Sequence, residues 1–329
     1  MSNNFDFKRS PSNLHAAPLG TALDRKNTQN SRNNQINLYF RPLICNFAGS
    51  MKQVRPKKNL GQHFLTDLSI AKRIADTVDE PYGDLPVLEV GPGMGVMTQY
   101  LVEKPRPLKV VEIDRESVAY LKGTLFKEQP SAQSSAIIEG DFLRMDLKEV
   151  FDGQQFVLTG NYPYDISSQI FFKMLDNRDL IPCCTGMIQH EVAVRMAAHP
   201  GNKQYGILSV LIQAWYNVEY LFTVEPSVFN PPPKVQSAVI RMTRNEVQHL
   251  GCDEQLFKRV VKTVFNQRRK MLRVSLKQLL SNDAIATLNA QLSTVSSQLS
   301  LALRPEQLTI AQFVELTNAI DALCASTNN

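Results

Sequence analysis

Short apolar runs alternate with amphipathic stretches from residue 68 to residue 242. The stretch 68–78 has helical spacing and follows Asp67, a side chain suited to accept from the free amides of a first helical turn. The apolar run 87–90 ends in a glycine cluster, Gly91, Gly93 and Gly95, and a helix-like stretch follows to residue 103. Further strand-like runs lie at 108–113, 136–139, 156–159, 185–189, 218–224 and 235–242, with helix-like runs between the early ones. Strands that alternate with helices build βαβ units, so the pattern predicts a mainly parallel sheet with helices on both faces. The last two runs are separated only by the proline-rich segment 226–233, which predicts an antiparallel hairpin at one sheet edge with the prolines confined to its loop. Strand patterning then stops. Residues 253–323 read as short helices, among them 254–278, 282–288 and 309–323.

Residues 1–50 show no apolar period and are rich in Asn, Ser and Gln, a composition that buries too little surface to offset its ordering entropy. Their one apolar piece, 38–47, is interrupted by Arg41 and Pro42 and lacks the form of a signal peptide. The expected organisation is a non-globular extension over 1–50, with the functional protein starting near Met51. An α/β domain over 51–248 and a small all-α domain over 249–329 follow.

Composition removes several classes. The chain has 329 residues, 43% hydrophobic and 20% charged, which excludes wholesale disorder, collagen-like and coiled-coil readings. No run approaches the ~18 apolar residues of a membrane-spanning helix, so no membrane partner is expected. The five cysteines (Cys45, Cys183, Cys184, Cys252, Cys324) are odd in number and form no CxxC pair. A disulfide framework or zinc site is therefore not expected, and a reducing, cytoplasmic setting is. The net charge of +5 lies mostly in the extension: residues 1–50 hold six of the 36 Lys/Arg and two of the 31 Asp/Glu, which leaves 30 against 29 in the remainder. Binding to nucleic acid must then rest on where the charges sit. Cys183, Cys184 and Trp215 lie in apolar runs and read as core. His190 and His199 have no ligand-spaced partners, so no metal is expected.

Four constellations carry chemistry. Glu89, Gly91 and Gly93 follow a strand and open a helix-like stretch, where glycines let backbone approach a ligand. Glu112 ends the next strand, placed to accept both ribose hydroxyls of an adenosine-containing cofactor. Asp141, beside Phe142, ends the third strand and is placed to accept an adenine amino group. These three do not distinguish a nicotinamide cofactor from S-adenosylmethionine. The fourth does. Asn161, Tyr162, Pro163 and Tyr164 end the fourth strand. An adenine amine is a poor nucleophile because its lone pair is delocalised into the ring. Asn161 offers an acceptor for one N–H and the carbonyl of residue 162 for the other. Pro163 fixes the turn that aims the carbonyl, and Tyr164 offers a stacking face. Such a site works by orientation and electrostatics, without a metal.

Six segments stand in the order found in a known family: 59–65 around His63, 89–93, 111–114, 160–164, 229–235 and 265–270. Together they resemble the ribosomal RNA small-subunit adenine dimethyltransferases, the kasugamycin-sensitivity methylases, over roughly residues 52–323. The resemblance implies a Rossmann-like S-adenosylmethionine-dependent methyltransferase domain with a seven-stranded mixed sheet, followed by the C-terminal helical RNA-binding domain. It implies dimethylation of N6 on two adjacent adenosines in the 3′-end hairpin loop of 16S rRNA, on small subunits late in assembly, by a monomer. Cofactor-binding residues would be His63, Leu65, Gly91, Gly93, Glu112, Asp141 and Asn161, the catalytic ones Asn161, Pro163 and Tyr164. Tyr164 and Phe229 would sandwich the target base. His63 stands where Asn is common, and Tyr162 where Leu or Ile is common. A contact through the residue 162 carbonyl would be indifferent to that side chain.

The resemblance also gives the basic segments a role. Lys52, Arg55, Lys57 and Lys58 precede the first motif. Residues 258–277 hold eight Lys/Arg and no acid, at spacings that predict an amphipathic helix with a basic face. Arg268, Arg269 and Lys270 are the expected RNA contacts there. Two rivals share parts of the pattern: a large-subunit rRNA adenine N6-methyltransferase, and a non-catalytic ribosome-assembly factor on the same fold. Segments 229–235 and 265–270 fit the first less well, and intact Glu112, Asp141 and Asn161 speak against the second.

Overall fold

The computed structural model describes residues 57, 62–126, 136–295 and 298–327. The extension 1–50, the expected start at Met51, and Lys52, Arg55 and Lys58 lie outside the described residues. The described residues belong to one compact unit.

Its centre is a seven-stranded mixed sheet in the order β4-β3-β2-β5-β6-β9-β7. Strands β2 (Val87–Val90), β3 (Leu108–Glu112), β4 (Ile137–Glu139), β5 (Val157–Asn161) and β6 (Cys183–Gln189) run parallel, and β9 (Ser237–Arg244) and β7 (Tyr216–Val224) add antiparallel at one edge. β2 is buried at every position, as befits a central strand covered on both faces. The strand runs of the sequence are present with shifts of at most two residues at their ends, while the helix expected over 68–78 ends two residues early, that over 282–288 runs on to Val295 and that over 309–323 to Thr327. The edge hairpin is present too, but its loop contains an unexpected element. Strand β8 (Phe229–Asn230) pairs antiparallel with β1 (Phe64–Leu65), Leu65 opposite Phe229.

Aspartates start several helices. Asp67 Oδ1 accepts from the amides of Ser69 and Ile70 at 2.9 and 3.2 Å and opens α1 (Leu68–Asp76). The helix expected to reach residue 103 is shorter. The chain runs in turns through residues 93–97, and only α2 (Thr98–Leu101) is helical. Asp114 opens α3 (Arg115–Gly123). Helices α4 (Ser167–Asp176), α5 (His190–Ala197) and α6 (Ile207–Gln213) follow β5 and β6.

The stretch 254–278 is not one helix. Asp253 caps α7 (Glu254–Asn266), the chain turns at residues 267–270, and α8 (Leu272–Ser275) follows. The amides of Leu272 and Arg273 bond to the carbonyls of Leu303 and Leu301 instead of to the preceding turn, so the packing of residues 301–303 interrupts the ladder. α9 (Asn282–Val295) and α10 (Ile310–Thr327) complete the helical part. It shares its core with the sheet. Trp215, between α6 and β7, meets Phe257 edge-on at 6.1 Å, and Phe265 lies between Tyr205 and Phe313. Cys183, Cys184 and Trp215 are fully buried, as their apolar runs implied.

Candidate active site

The parallel strands end on one cavity of about 270 Å³. Gly91 follows β2 with φ +67°, and no atom stands within 4 Å of where its Cβ would be, so its backbone is open to a ligand. Glu112 fastens this loop. Its carboxylate accepts the Gly93 amide at 3.0 Å and the Asp114 amide at 2.9 Å, and burial pushes its ionisation up. Glu89 is 1% exposed, and its Oε2 has no hydrogen-bond partner among the described residues. Burial, with Glu112 adding its charge, pushes Glu89 up to about 8. Asp141 lies on the loop after β4, where its Oδ1 accepts the Leu143 amide. Lys173 of α4 holds that loop from behind, donating to the carbonyls of Leu143 and Met145 at 3.1 and 2.6 Å. Burial lowers the Lys173 ammonium from its ordinary value.

At the end of β5, Asn161 Nδ2 donates to the His63 carbonyl at 3.3 Å, which leaves Oδ1 as its acceptor end. Tyr162 turns inward. It is 1% exposed, and its hydroxyl donates to the Thr185 carbonyl at 3.0 Å, 3.2 Å from Cys184 Sγ. The ring fits because β6 carries Gly186, where a Cβ would stand 2.7 Å from Tyr162 Cε2. The turn is thus anchored by a side chain to which the sequence reading gave no part. Pro163 and Tyr164 line the cavity, and the Tyr164 hydroxyl is bonded to Ser237 Oγ.

His63 and Leu65 line the same cavity. The His63 ring stacks on Tyr164, with centroids 5.7 Å apart and planes at 30°. Phe229 is placed differently. It is 4% exposed, packs in the cluster that holds Leu65 and Val224, and is not among the residues that line the cavity. Two residues that motif reading passed over do line it. Phe64 lies against the glycine loop, its Cε1 3.2 Å from where a Cβ on Gly93 would stand. Ile113 follows Glu112 and is 54% exposed. Both stand inside segments that carry the resemblance, 59–65 and 111–114, but neither was given a role there.

The basic run divides. Arg268 forms an ion pair with Glu306 at 2.8 Å, and Lys258 pairs with Asp176 at 2.8 Å. Arg269, Lys270, Arg273 and Lys277 are exposed. Lys57 pairs with Asp114 at 2.6 Å. Among the described residues no cluster of His, Cys, Asp or Glu is placed to hold a metal, and no helix is long and apolar enough to cross a membrane.

These residues fit S-adenosylmethionine. The open backbone at Gly91, the unpartnered Glu89 oxygen and the strand-end carboxylates give a cationic, adenosine-bearing molecule both room and acceptors. An amide oxygen and a tyrosine ring stand beside them to orient a planar amine. Fold and site together define the class: S-adenosylmethionine-dependent amino methyltransferases.

Comparison with known proteins takes the class to a family. Residues 53–321 match the ribosomal RNA adenine dimethylase family, and the chain belongs to it. A ribosomal RNA small subunit methyltransferase A from Bacteroides fragilis is 65% identical over 271 residues, covering 82% of this chain and 94% of that protein. The protein of that name from Porphyromonas gingivalis is 57% identical over 268 residues, covering 81% and 98%. Among solved structures, a dimethyladenosine transferase from Plasmodium falciparum superposes with a TM-score of 0.64 at 24% identity, covering 80% of this chain and 98% of that one. The 23S rRNA methyltransferase ErmE gives 0.56 at 26%, covering 78% and 99%.

Proposed function

We propose that this protein transfers methyl groups from S-adenosylmethionine to N6 of two adjacent adenosines in the 3′-end hairpin loop of 16S rRNA. Each adenosine receives two. The enzyme acts as a monomer in the cytoplasm, on small subunits late in assembly. The observation that carries this reading is the Asn161 amide, whose nitrogen is engaged by the His63 carbonyl so that its oxygen is left for the target amine.

S-adenosylmethionine supplies an electrophilic methyl group on its sulfonium. Gly91 and Gly93 take its methionine part along their backbone, with His63 and Leu65 beside them. Glu112 accepts the ribose hydroxyls with the lone pairs its two amide bonds leave, and Asp141 accepts from the adenine. Asn161 Oδ1 and the Tyr162 carbonyl accept the two N6 hydrogens, which draws the nitrogen toward the pyramidal form and localises its lone pair. Tyr164 holds the base plane, and Pro163 keeps the turn in shape. Each transfer leaves N6 cationic until it gives up one proton to water, so after the first a single N6 hydrogen remains and one acceptor suffices for the second. A looped, unpaired adenosine suits such a slot because it reaches the site at little unstacking cost. The helical part, residues 249–329, presents Arg269 and Lys270 to the RNA backbone.

The small-subunit substrate is supported by the names of relatives at 57–65% identity. The likeness to ErmE, at 26% identity, supports the shared cofactor chemistry. The test is transfer of tritium from labelled S-adenosylmethionine to small subunits lacking the modification, with large subunits in parallel. N6,N6-dimethyladenosine in small-subunit rRNA is the expected product. Label only in large-subunit RNA would move the assignment there, and binding without label would make the protein an assembly factor.

A further inference from the structure

We infer that Lys173 is a positioning residue that gives this protein its preference for the adenine ring of its methyl donor: it fastens the loop that carries Asp141 to helix α4, so that the carboxylate meets the amino group of the ring. The inference rests on the reading above, in which Asp141 accepts from the adenine.

The loop after β4, residues 140–146, is a turn with no strand or helix ladder of its own. Gly140, Asp141, Phe142 and Leu143 line the cavity. Asp141 ties the turn together from within. Its Oδ1 accepts the Leu143 amide at 2.9 Å, and its carbonyl accepts the amides of Arg144 and Met145 at 3.0 and 3.3 Å. The carbonyls of Leu143 and Met145 accept from Lys173 Nζ at 3.1 and 2.6 Å and take no other hydrogen bond among the described residues. Leu143 and Met145 are thus each held twice, by Asp141 through the amide and by Lys173 through the carbonyl. The same ammonium lies 5.7 Å from the centre of the Phe142 ring. Asp141 Oδ2 has Arg144 Nε at 3.3 Å, on a side chain that lies in solvent, a pairing that water screens, so this oxygen is open to a ligand.

Helix α4 is a firm support for this grip. It starts at Ser167, whose Oγ donates to the Tyr164 carbonyl at 3.2 Å, and Ile170, Phe171, Met174 and Leu175 bury its inner face. Lys173 stands six residues further on, about 9 Å along the axis. The helix that follows the catalytic turn therefore also carries the adenine loop. An ammonium suits the place because it only donates, and it has three N–H groups for two carbonyls. Burial opposes its charge, while Asp141 and Asp146 favour it. Without it the two carbonyls lose their donor and the turn shifts to find water. A contact that depends on the placing of one carboxylate oxygen then fails before contacts that depend on shape alone.

The test uses S-adenosylhomocysteine and S-inosylhomocysteine, whose rings carry an amino group and a carbonyl oxygen respectively at position 6. Calorimetry on the full chain reads the dissociation constant of each for wild type, Lys173→Met and Lys173→Gln. Wild type is expected to prefer the amino compound. Lys173→Met, similar in length but without donors, is expected to weaken that compound about tenfold, the low end of what a hydrogen bond to a charged group contributes, and to change the other less than about twofold. Lys173→Gln, neutral and shorter, is expected to narrow the preference in the same direction, and it carries the comparison if Lys173→Met does not fold. Equal weakening of both compounds would overturn the inference and leave Lys173 a general support of the fold. So would a preference as large as that of wild type. Failure of the underlying reading shows separately, as wild-type protein that binds the two compounds equally well.

Discussion

Glu89 keeps a proton that the unfolded chain would have lost. Its carboxyl, ordinarily near 4.5, is pushed up to about 8 by burial in the cavity wall. Between those values the folded chain binds more protons than the unfolded one, so stability falls as pH rises through this window. Burial of Glu112 adds to the trend with the same sign. Glu89→Gln removes the titration while keeping the shape. Urea midpoints at pH 5 and pH 8 are expected to show the wild type losing ground to the variant on going to pH 8. A difference that stays constant would mean that the carboxyl is not held neutral. At Asn161 the effect is kinetic: Asn161→Ala removes an acceptor from the reacting amine. A kcat loss of about 100-fold or more, with subunit binding largely kept, is the expected outcome; turnover at the wild-type level would remove the residue from the mechanism. Glu112, Asp141 and Asn161 were legible in the sequence because each ends a strand at a fixed place in the βαβ order. Tyr162 was not. Its importance comes from Gly186 on the neighbouring strand, which makes room for the ring, and that adjacency exists only once β5 and β6 pair.

At the scale of elements, the alternation of apolar and amphipathic runs gave the parallel sheet and its antiparallel edge. It did not give β1 and β8. Each is two residues long, too short for a period, and their pairing joins segments from opposite ends of the sheet domain. The break in the basic helix was equally hidden, because residues 301–303 impose it from outside the segment. That break sorts the cations. Arg268 is turned back to Glu306, whereas Arg269 and Lys270 project from the turn. Reversing Arg269 and Lys270 to Glu is expected to weaken subunit binding and flatten its dependence on log salt by roughly one to two units. Arg268→Ala is expected to leave that slope nearly unchanged and to cost stability instead. Equal effects on the slope would mean that Arg268 also reaches phosphate.

For the whole molecule, the sheet and the C-terminal helices share one apolar core through Trp215, Phe257 and Phe265. The sequence showed where strand patterning ends, near residue 250, but a change of pattern does not reveal whether two parts pack on a common core. Phe257 is fully buried, so Phe257→Ala is expected to cost about 3–5 kcal/mol. Wild type and variant should each unfold in a single transition, with tryptophan fluorescence and far-ultraviolet circular dichroism giving the same midpoint. Separate midpoints would divide the chain energetically near residue 250.

The segment that carries His63 and Phe64 touches both halves of the site: the His63 carbonyl holds the Asn161 amide, and Phe64 lies against the glycine loop at Gly93. Anything that displaces this segment when one ligand enters is felt by the other. Thermodynamic linkage makes the exchange symmetrical: whatever factor the methyl donor adds to the grip on RNA, RNA returns in full to the grip on the donor.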